Sequence, residues 1–239
     1  MKKAILLCFT LLLAGGLFLA FRPEASSMAG AWRQVGSGGP NVVYVLSDGY
    51  LMGTYYENNR FLGSTGGTYQ TDGKQLTITI EFDTQDSTNV GQSRTFSIAS
   101  LTDKQLVISA DGESETYERI DQAANAPLAG LWRITGRAGN DGQISAMQRG
   151  ARKTLKILSG TRFQWAAINP QTKQFSGTGG GTYTLKDGKY TETIEFFSRD
   201  NSRVGKSLTF DCEIKGNDWH HRGQSSTGGP VSEVWSREK

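Results

Sequence analysis

Histidine, cysteine and proline are scarce in this chain: two, two and five among 239 residues. Each scarcity excludes something. Cys8 lies within the N-terminal apolar run, so beyond that run only Cys212 remains, and one thiol makes no internal disulfide. Any core must therefore hold by packing alone. Cys212 itself reads as a small buried apolar side chain rather than a nucleophile. The two histidines, His220 and His221, are adjacent, which is not a metal-ligand spacing, and no Ser–His–Asp order or phosphate-cradling loop accompanies them. Residues 177–181 are glycine-rich but precede a strand pattern, so no helix N-terminus is there to receive a phosphate. No motif asks for a cofactor or a metal. No basic stripe with interleaved aromatics marks a nucleic-acid binder, and no segment has a convincing helical period.

Glycine, by contrast, is abundant (30 residues), and Thr, Tyr, Phe and Trp cluster in short runs, a β composition with many tight turns. One block occurs twice. Gly66-Gly67-Thr68-Tyr69, Thr79-Ile80-Glu81-Phe82 and Val90-Gly91 reappear as Gly180-Gly181-Thr182-Tyr183, Thr193-Ile194-Glu195-Phe196 and Val204-Gly205, always 114 residues later. A constant offset over three blocks means that strand and turn lengths are kept, so the chain is a duplicated β domain. Trp132 follows Trp32 by only 100 residues. The second copy therefore carries 14 extra residues early on: twelve expected in a long first loop, residues 136–150, and two at the hairpin tip Asn169-Pro170-Gln171. Within the first copy Leu76, Ile78, Ile80 and Phe82 alternate with Thr77, Thr79, Glu81 and Asp83. That period of two predicts a strand whose first set faces the core and whose second faces solvent. By the same alternation Glu81 and Glu195 belong on a solvated outer face rather than in an acid–base pair. Gly66-Gly67 interrupts its strand and predicts a bulge or sharp bend.

Residues 1–27 stand apart. Lys2 and Lys3 precede an uncharged apolar run, residues 4–21, and Ala25-Ser26-Ser27 offers small residues before a cut at Met28. The segment is expected to be an export signal, with an uncleaved membrane anchor as the alternative. After processing no membrane span is expected, and the protein belongs in the periplasm, the envelope or outside the cell. Residues 28–120 then form the first domain, 121–127 a short linker, and 128–239 the second. Charge divides with them. Residues 28–124 hold 6 Lys/Arg against 12 Asp/Glu, net −6; residues 125–239 hold 17 against 10, net +7. Opposite charges make a contact between the acidic first and the basic second domain a natural expectation, as against simple surface drift.

Each copy reads as eight antiparallel strands with Gly-x-Trp in the first and an Arg near the end of the last: Trp32 with Arg119, and Trp132 with Arg237. This pattern resembles the calycin barrels, the lipocalins and their fatty-acid-binding relatives. It is most similar to lipocalin-like domains secreted by bacteria, which share a Gly-Gly-x-Tyr, an Ile-Glu-Phe strand and a Trp-His-His segment. The resemblance covers nearly the whole mature chain, once per half. It implies an all-β protein of two tandem eight-stranded up-and-down barrels, with the tryptophan packed across the closed end under the arginine. It transfers no ligand, because typical lipocalins carry a disulfide and a C-terminal helix and neither is readable in this sequence. Two β-sandwiches are the alternative architecture. A single outer-membrane barrel is disfavoured by the polar face of the strand at residues 76–83.

The second domain holds the better candidate site. Phe163 and Trp165 share one strand face, Tyr183 follows the glycine bend, and Trp219 and His221 share a later face, away from His220. Arg149, Arg152, Lys153, Lys156 and Arg162 crowd the end bearing the long loop. An apolar pocket with a basic mouth suits an amphipathic anion such as a fatty acid. The expected ligand contacts are Phe163, Trp165, Tyr183, Trp219, His221, Arg152 and Arg162; the competing reading packs these aromatics as a solid core. The expectation is thus a non-enzymatic exported protein that binds a small hydrophobic or amphipathic molecule, mainly in the second domain. Two alternatives stand beside it: a structural or interaction module of the envelope with filled barrels, and a hydrolase or isomerase using His220 or His221.

Overall fold

In the first copy β1 (Gly30–Gln34), β2 (Asn41–Ser47), β3 (Tyr50–Glu57), β4 (Arg60–Thr71), β5 (Gln75–Asp83), β6 (Ser93–Leu101), β7 (Gln105–Ala110) and β8 (Glu113–Gln122) follow one another round a closed barrel. Every pairing is antiparallel, and β8 returns to β1 with Trp32 opposite Arg119. The structure is a computed structural model describing residues 27–238 apart from 37, 124, 125 and 140, so the segment expected to be an export signal, residues 1–27, falls outside the described residues but for Ser27. The tight hairpins are made by residues that tolerate positive φ, Asp48-Gly49, Asn58-Asn59 and Asp111-Gly112.

The second copy repeats the design with β9 (Gly130–Ala138), β11 (Lys153–Leu158), β12 (Arg162–Asn169), β13 (Gln174–Lys186), β14 (Lys189–Phe197), β15 (Ser207–Lys215), β16 (Asp218–Gln224) and β17 (Pro230–Arg237), and β17 closes on β9. An additional short strand, β10 (Ile144–Ala146), pairs with Gly136 to Ala138, beyond the stretch of β9 that β11 covers. The expected long loop is therefore partly ordered. Its first residues prolong β9, and its middle supplies the strand that satisfies that prolonged edge. Two closed barrels, rather than sandwiches or one large barrel, are the architecture.

The closed ends match in detail. Trp32 Nε1 donates to Met28 O at 2.9 Å and Trp132 Nε1 to Leu128 O at 2.8 Å. The Arg119 guanidinium lies 3.9 Å over the Trp32 ring, and that of Arg237 lies 4.1 Å over Trp132. Each arginine also ties down the segment entering its barrel: Arg119 donates to Ala29 O and Ser27 O, Arg237 to Ala129 O and Pro127 O. The lipocalin-like arrangement of tryptophan under arginine is present twice.

The glycine pair does make a bulge, and the bulge overturns one expectation. Gly66 pairs with Phe82 and Gly67 with Ile80, so Glu81 is the extra residue; Gly180, Gly181, Phe196, Ile194 and Glu195 repeat this. Glycine is required because a Cβ on Gly67 would stand 2.0 Å from Thr79 O, and one on Gly181 2.1 Å from Thr193 O. The extra residue breaks the period of two, so Phe82 leaves the interior of the first barrel for its outer face. There it stacks on Phe175 of the second barrel at 6.1 Å. In return Phe196 meets Phe61 of the first barrel at 6.4 Å, and Tyr56 at 5.5 Å. Phe61 and Phe175, and Phe82 and Phe196, are 114 residues apart, so the two homologous barrels meet through the same patch used reciprocally, as in an isologous dimer.

Where the barrels meet, the outer faces of both copies are therefore not solvated. Ala31, Val45, Tyr50, Met52 and Phe82 of the first barrel form one buried apolar cluster with Leu131, Leu155, Ile157, Ala166 and Ile168 of the second. Glu81 accepts from Tyr50 Oη (2.8 Å) and from Lys153 Nζ across the contact (2.8 Å). Glu195 accepts from Tyr56 Oη across the contact (2.8 Å) and from Arg162 of its own barrel. Gln164 Nε2 bridges Ser64 Oγ at 2.8 Å and Thr178 Oγ1 at 3.2 Å. Those two residues are themselves equivalents 114 apart. The expected solvated face for Glu81 and Glu195 is corrected: they point outward from their own barrels but into the other one.

Candidate functional site: the interior of the second barrel

The strands of the second barrel enclose a cavity of about 420 Å³ that opens to solvent. Its walls include Phe163, Trp165, Ile194, Phe197, Leu208, Phe210, Val231 and Trp235. Trp165 and Phe197 meet edge to face at 5.7 Å. Arg137, Arg152 and Arg199 line it too. Arg137 donates to Glu233 at 2.7 Å and Arg199 to Ser176 O at 2.7 Å. The Arg152 guanidinium is left without a partner among the described residues.

The floor is charged, which is unusual for a barrel core. Lys156, from β11, is buried, and its Nζ lies 2.9 Å from Glu192 Oε2 on β14. Four rings surround that ammonium: Tyr190 at 4.7 Å, Phe163 at 5.0 Å, Trp219 at 5.2 Å and Trp235 at 5.7 Å. Ring faces of negative potential and one carboxylate replace the water that the ion gave up. Tyr190 Oη donates to the same Glu192 oxygen at 3.0 Å. Burial, with the Glu192 carboxylate beside it, raises the Tyr190 phenol well above its ordinary value, so it stays protonated and donating.

His221 completes the floor. Only 4% of it is exposed, its ring packs 3.9 Å from that of Phe210, and neither ring nitrogen has a hydrogen-bond partner among the described residues. Nδ1 is 3.7 Å from Glu233 Oε2, too far for a hydrogen bond. Burial holds its pKa below the ordinary imidazole value. The Lys156 ammonium adds to that, against the Glu233 and Glu192 carboxylates. His221 is therefore neutral at pH 7. Glu233 itself is held below the ordinary carboxylate range: burial opposes this, and the His221 ring, which takes up its proton only in acid, and the Arg137 guanidinium outweigh it.

Of the residues expected at the site, Phe163, Trp165, His221 and Arg152 come together around the cavity. Trp219 lies against the closed end, 5.7 Å from Trp132, and touches His221. Tyr183 turns its hydroxyl to Ser159 O at 2.7 Å. Arg162 is on the outer face, bound to Glu195. It belongs to the contact between barrels and not to a basic mouth, because its strand neighbour Phe163 takes the inward position. His220 lies on the opposite strand face from His221, paired with Val234.

Sequence reasoning counted Lys156 among the bases of the mouth rather than the floor, and left Glu192 out of the site. A signal for Glu192 was present: it is in phase with Tyr190 and Ile194, both buried. Lys156 was hidden because its neighbours Leu155 and Ile157, which look like the core face, are buried outside the barrel against the first copy.

The first barrel shows what the fold requires at these places. Tyr44 faces Trp32 in the register in which Lys156 faces Trp132. Ile78 likewise matches Glu192, and Ile108 matches His221. Gly53 matches Trp165, and a Cβ there would stand 2.2 Å from the Tyr44 ring. The first barrel keeps its own cavity of about 330 Å³, lined among others by Tyr44, Tyr55, Ile80, Phe96 and Glu115. Tyr44 and Tyr55 share a hydroxyl contact at 3.0 Å. Neither barrel is filled, which goes against the reading that requires solid cores.

No family model matches the chain, and no curated protein matches it. Among solved structures it is similar to a lipocalin-like protein from Bacteroides uniformis ATCC 8492, at 19% identity over 38% of this chain and 97% of that one, with a TM-score of 0.31.

Proposed function

We propose that this is an exported, non-enzymatic binding protein whose second barrel holds a small amphipathic anion. The observation that carries this is the charged floor, Lys156 with Glu192, beneath an open cavity. A buried ion pair is a poor way to stabilise a core, and apolar side chains of similar volume do as well or better. The homologous barrel uses Tyr44 and Ile78 at the same two places. The pair is thus not a requirement of the fold, and binding is the role left for it.

The rim supports an anion. Among the described residues the Arg152 guanidinium is without a partner, and Arg199 is held by the Ser176 carbonyl. The aromatic wall of Phe163, Trp165 and Phe197 suits an apolar body. Export follows from Lys2, Lys3 and the apolar run that succeeds them. Native mass spectrometry of the protein isolated from its own host tests the binding role. A recurrent bound mass that disappears on denaturation supports it; repeated recovery of bare protein contradicts it. N-terminal sequencing of that material tests export, which predicts a mature chain starting near Met28.

A further inference from the structure

Three buried side-chain polar atoms lack a hydrogen-bond partner among the described residues: Trp219 Nε1 and both ring nitrogens of His221. The histidine is the telling case. Its place is taken by Ile108 in the first barrel, so the fold does not need a polar group there. It lines the cavity, and a buried polar group left unsatisfied is costly enough that native structures normally pair it. A neutral imidazole offers one donor and one acceptor. A hydroxyl answers either one, whichever nitrogen carries the proton.

The rest of the floor decides the charge of that partner. Lys156 is already matched by Glu192, and Glu233 by Arg137. A carboxylate pushed inward would therefore meet two carboxylates whose cations are already matched, whereas the Arg152 guanidinium, unpaired among the described residues, sits at the rim. A plain hydrocarbon end would leave His221 unsatisfied. We infer that the ligand is bifunctional: anionic at the rim and tipped, at its buried end, with an uncharged hydroxyl that hydrogen-bonds His221. This rests on the second barrel being the binding site for an amphipathic anion. It separates a hydroxylated acid from a simple fatty acid.

The test compares two probes of equal length, dodecanoate and 12-hydroxydodecanoate, by calorimetric titration of the folded mature chain. The expected result is about fivefold tighter binding of the hydroxylated probe, the worth of one net hydrogen bond. In His221→Ile, which copies the residue of the first barrel, that ratio falls to about one. In His221→Gln, which keeps a donor and an acceptor, it is largely restored. Equal binding of both probes by the wild type, or a preference that survives His221→Ile, overturns the inference while leaving the binding role intact. Absence of binding by either probe removes the binding role and this inference with it.

Discussion

Lys156 and Tyr44 occupy the same position in two homologous barrels, each opposite the tryptophan of its first strand. Around the tyrosine the partners are Tyr55, Tyr117 and Trp32, aliphatic Ile78 and Ile108 stand at the places of Glu192 and His221, and the strand beside it carries Gly53. Around the lysine they are Glu192, His221 and four aromatic rings, and the strand beside it carries Trp165. One duplicated scaffold thus holds two interiors of different chemistry.

Removing one partner of the ion pair leaves a buried charge alone, whereas removing both does not. Lys156→Met and Glu192→Leu are each expected to lower stability by about 3–5 kcal/mol, and the double variant to recover most of that loss. Urea unfolding followed by fluorescence measures all three. Additive losses would contradict the pairing.

The reciprocal aromatic contact predicts energetic coupling between the barrels. Phe82→Ala and Phe175→Ala should each destabilise by about 3 kcal/mol. Their double-mutant cycle should give a coupling of about 1 kcal/mol. A coupling near zero in calorimetric unfolding would mean that the rings are merely adjacent.

At the bulge, the close approach of backbone to backbone leaves no room to relax. Gly67→Ala and Gly181→Ala are expected to cost more than about 2 kcal/mol. Gly73→Ala, at φ +86° with open space around it, should cost only about 1 kcal/mol of backbone strain. Equal effects at the two kinds of site would refute the steric account.

Acid sensitivity follows from His221. Its folded pKa lies below its unfolded value of 6.5 because burial disfavours the imidazolium. It therefore contributes stability above pH 6.5, and that contribution is lost as pH falls toward the folded pKa. Glu233, whose folded pKa is likewise depressed, acts in the same sense further into acid. Between pH 7 and 5 the thermal midpoint of the wild type should fall more steeply than that of His221→Ile. Parallel profiles would contradict the buried neutral state.

The architecture was legible because it rests on a repeat and on alternation, both of which survive without knowledge of neighbours. Trp32 with Arg119 and Trp132 with Arg237 were readable for the same reason. What was not legible came from one barrel covering the other. Phe82 looked like core and is at the contact, since the bulge at Glu81 shifts the alternation by one. Leu155 and Ile157 likewise look inward and face outward, which left Lys156 looking like one more surface base beside Arg152 and Lys153. Arg162 was misplaced by the same effect. A strand buried on both faces gives no sign of which face is the interior.

The most direct test of the binding account converts the second interior into the first. Lys156→Tyr, Trp165→Gly and Glu192→Ile together reproduce Tyr44, Gly53 and Ile78 without leaving a lone buried carboxylate, and the dodecanoate binding of this variant is compared with that of the wild type at low ionic strength. The account predicts a saturable site in the wild type that the converted protein loses while keeping its fold by circular dichroism. Unchanged affinity and stoichiometry in the converted protein, or no saturable site in the wild type, would contradict it.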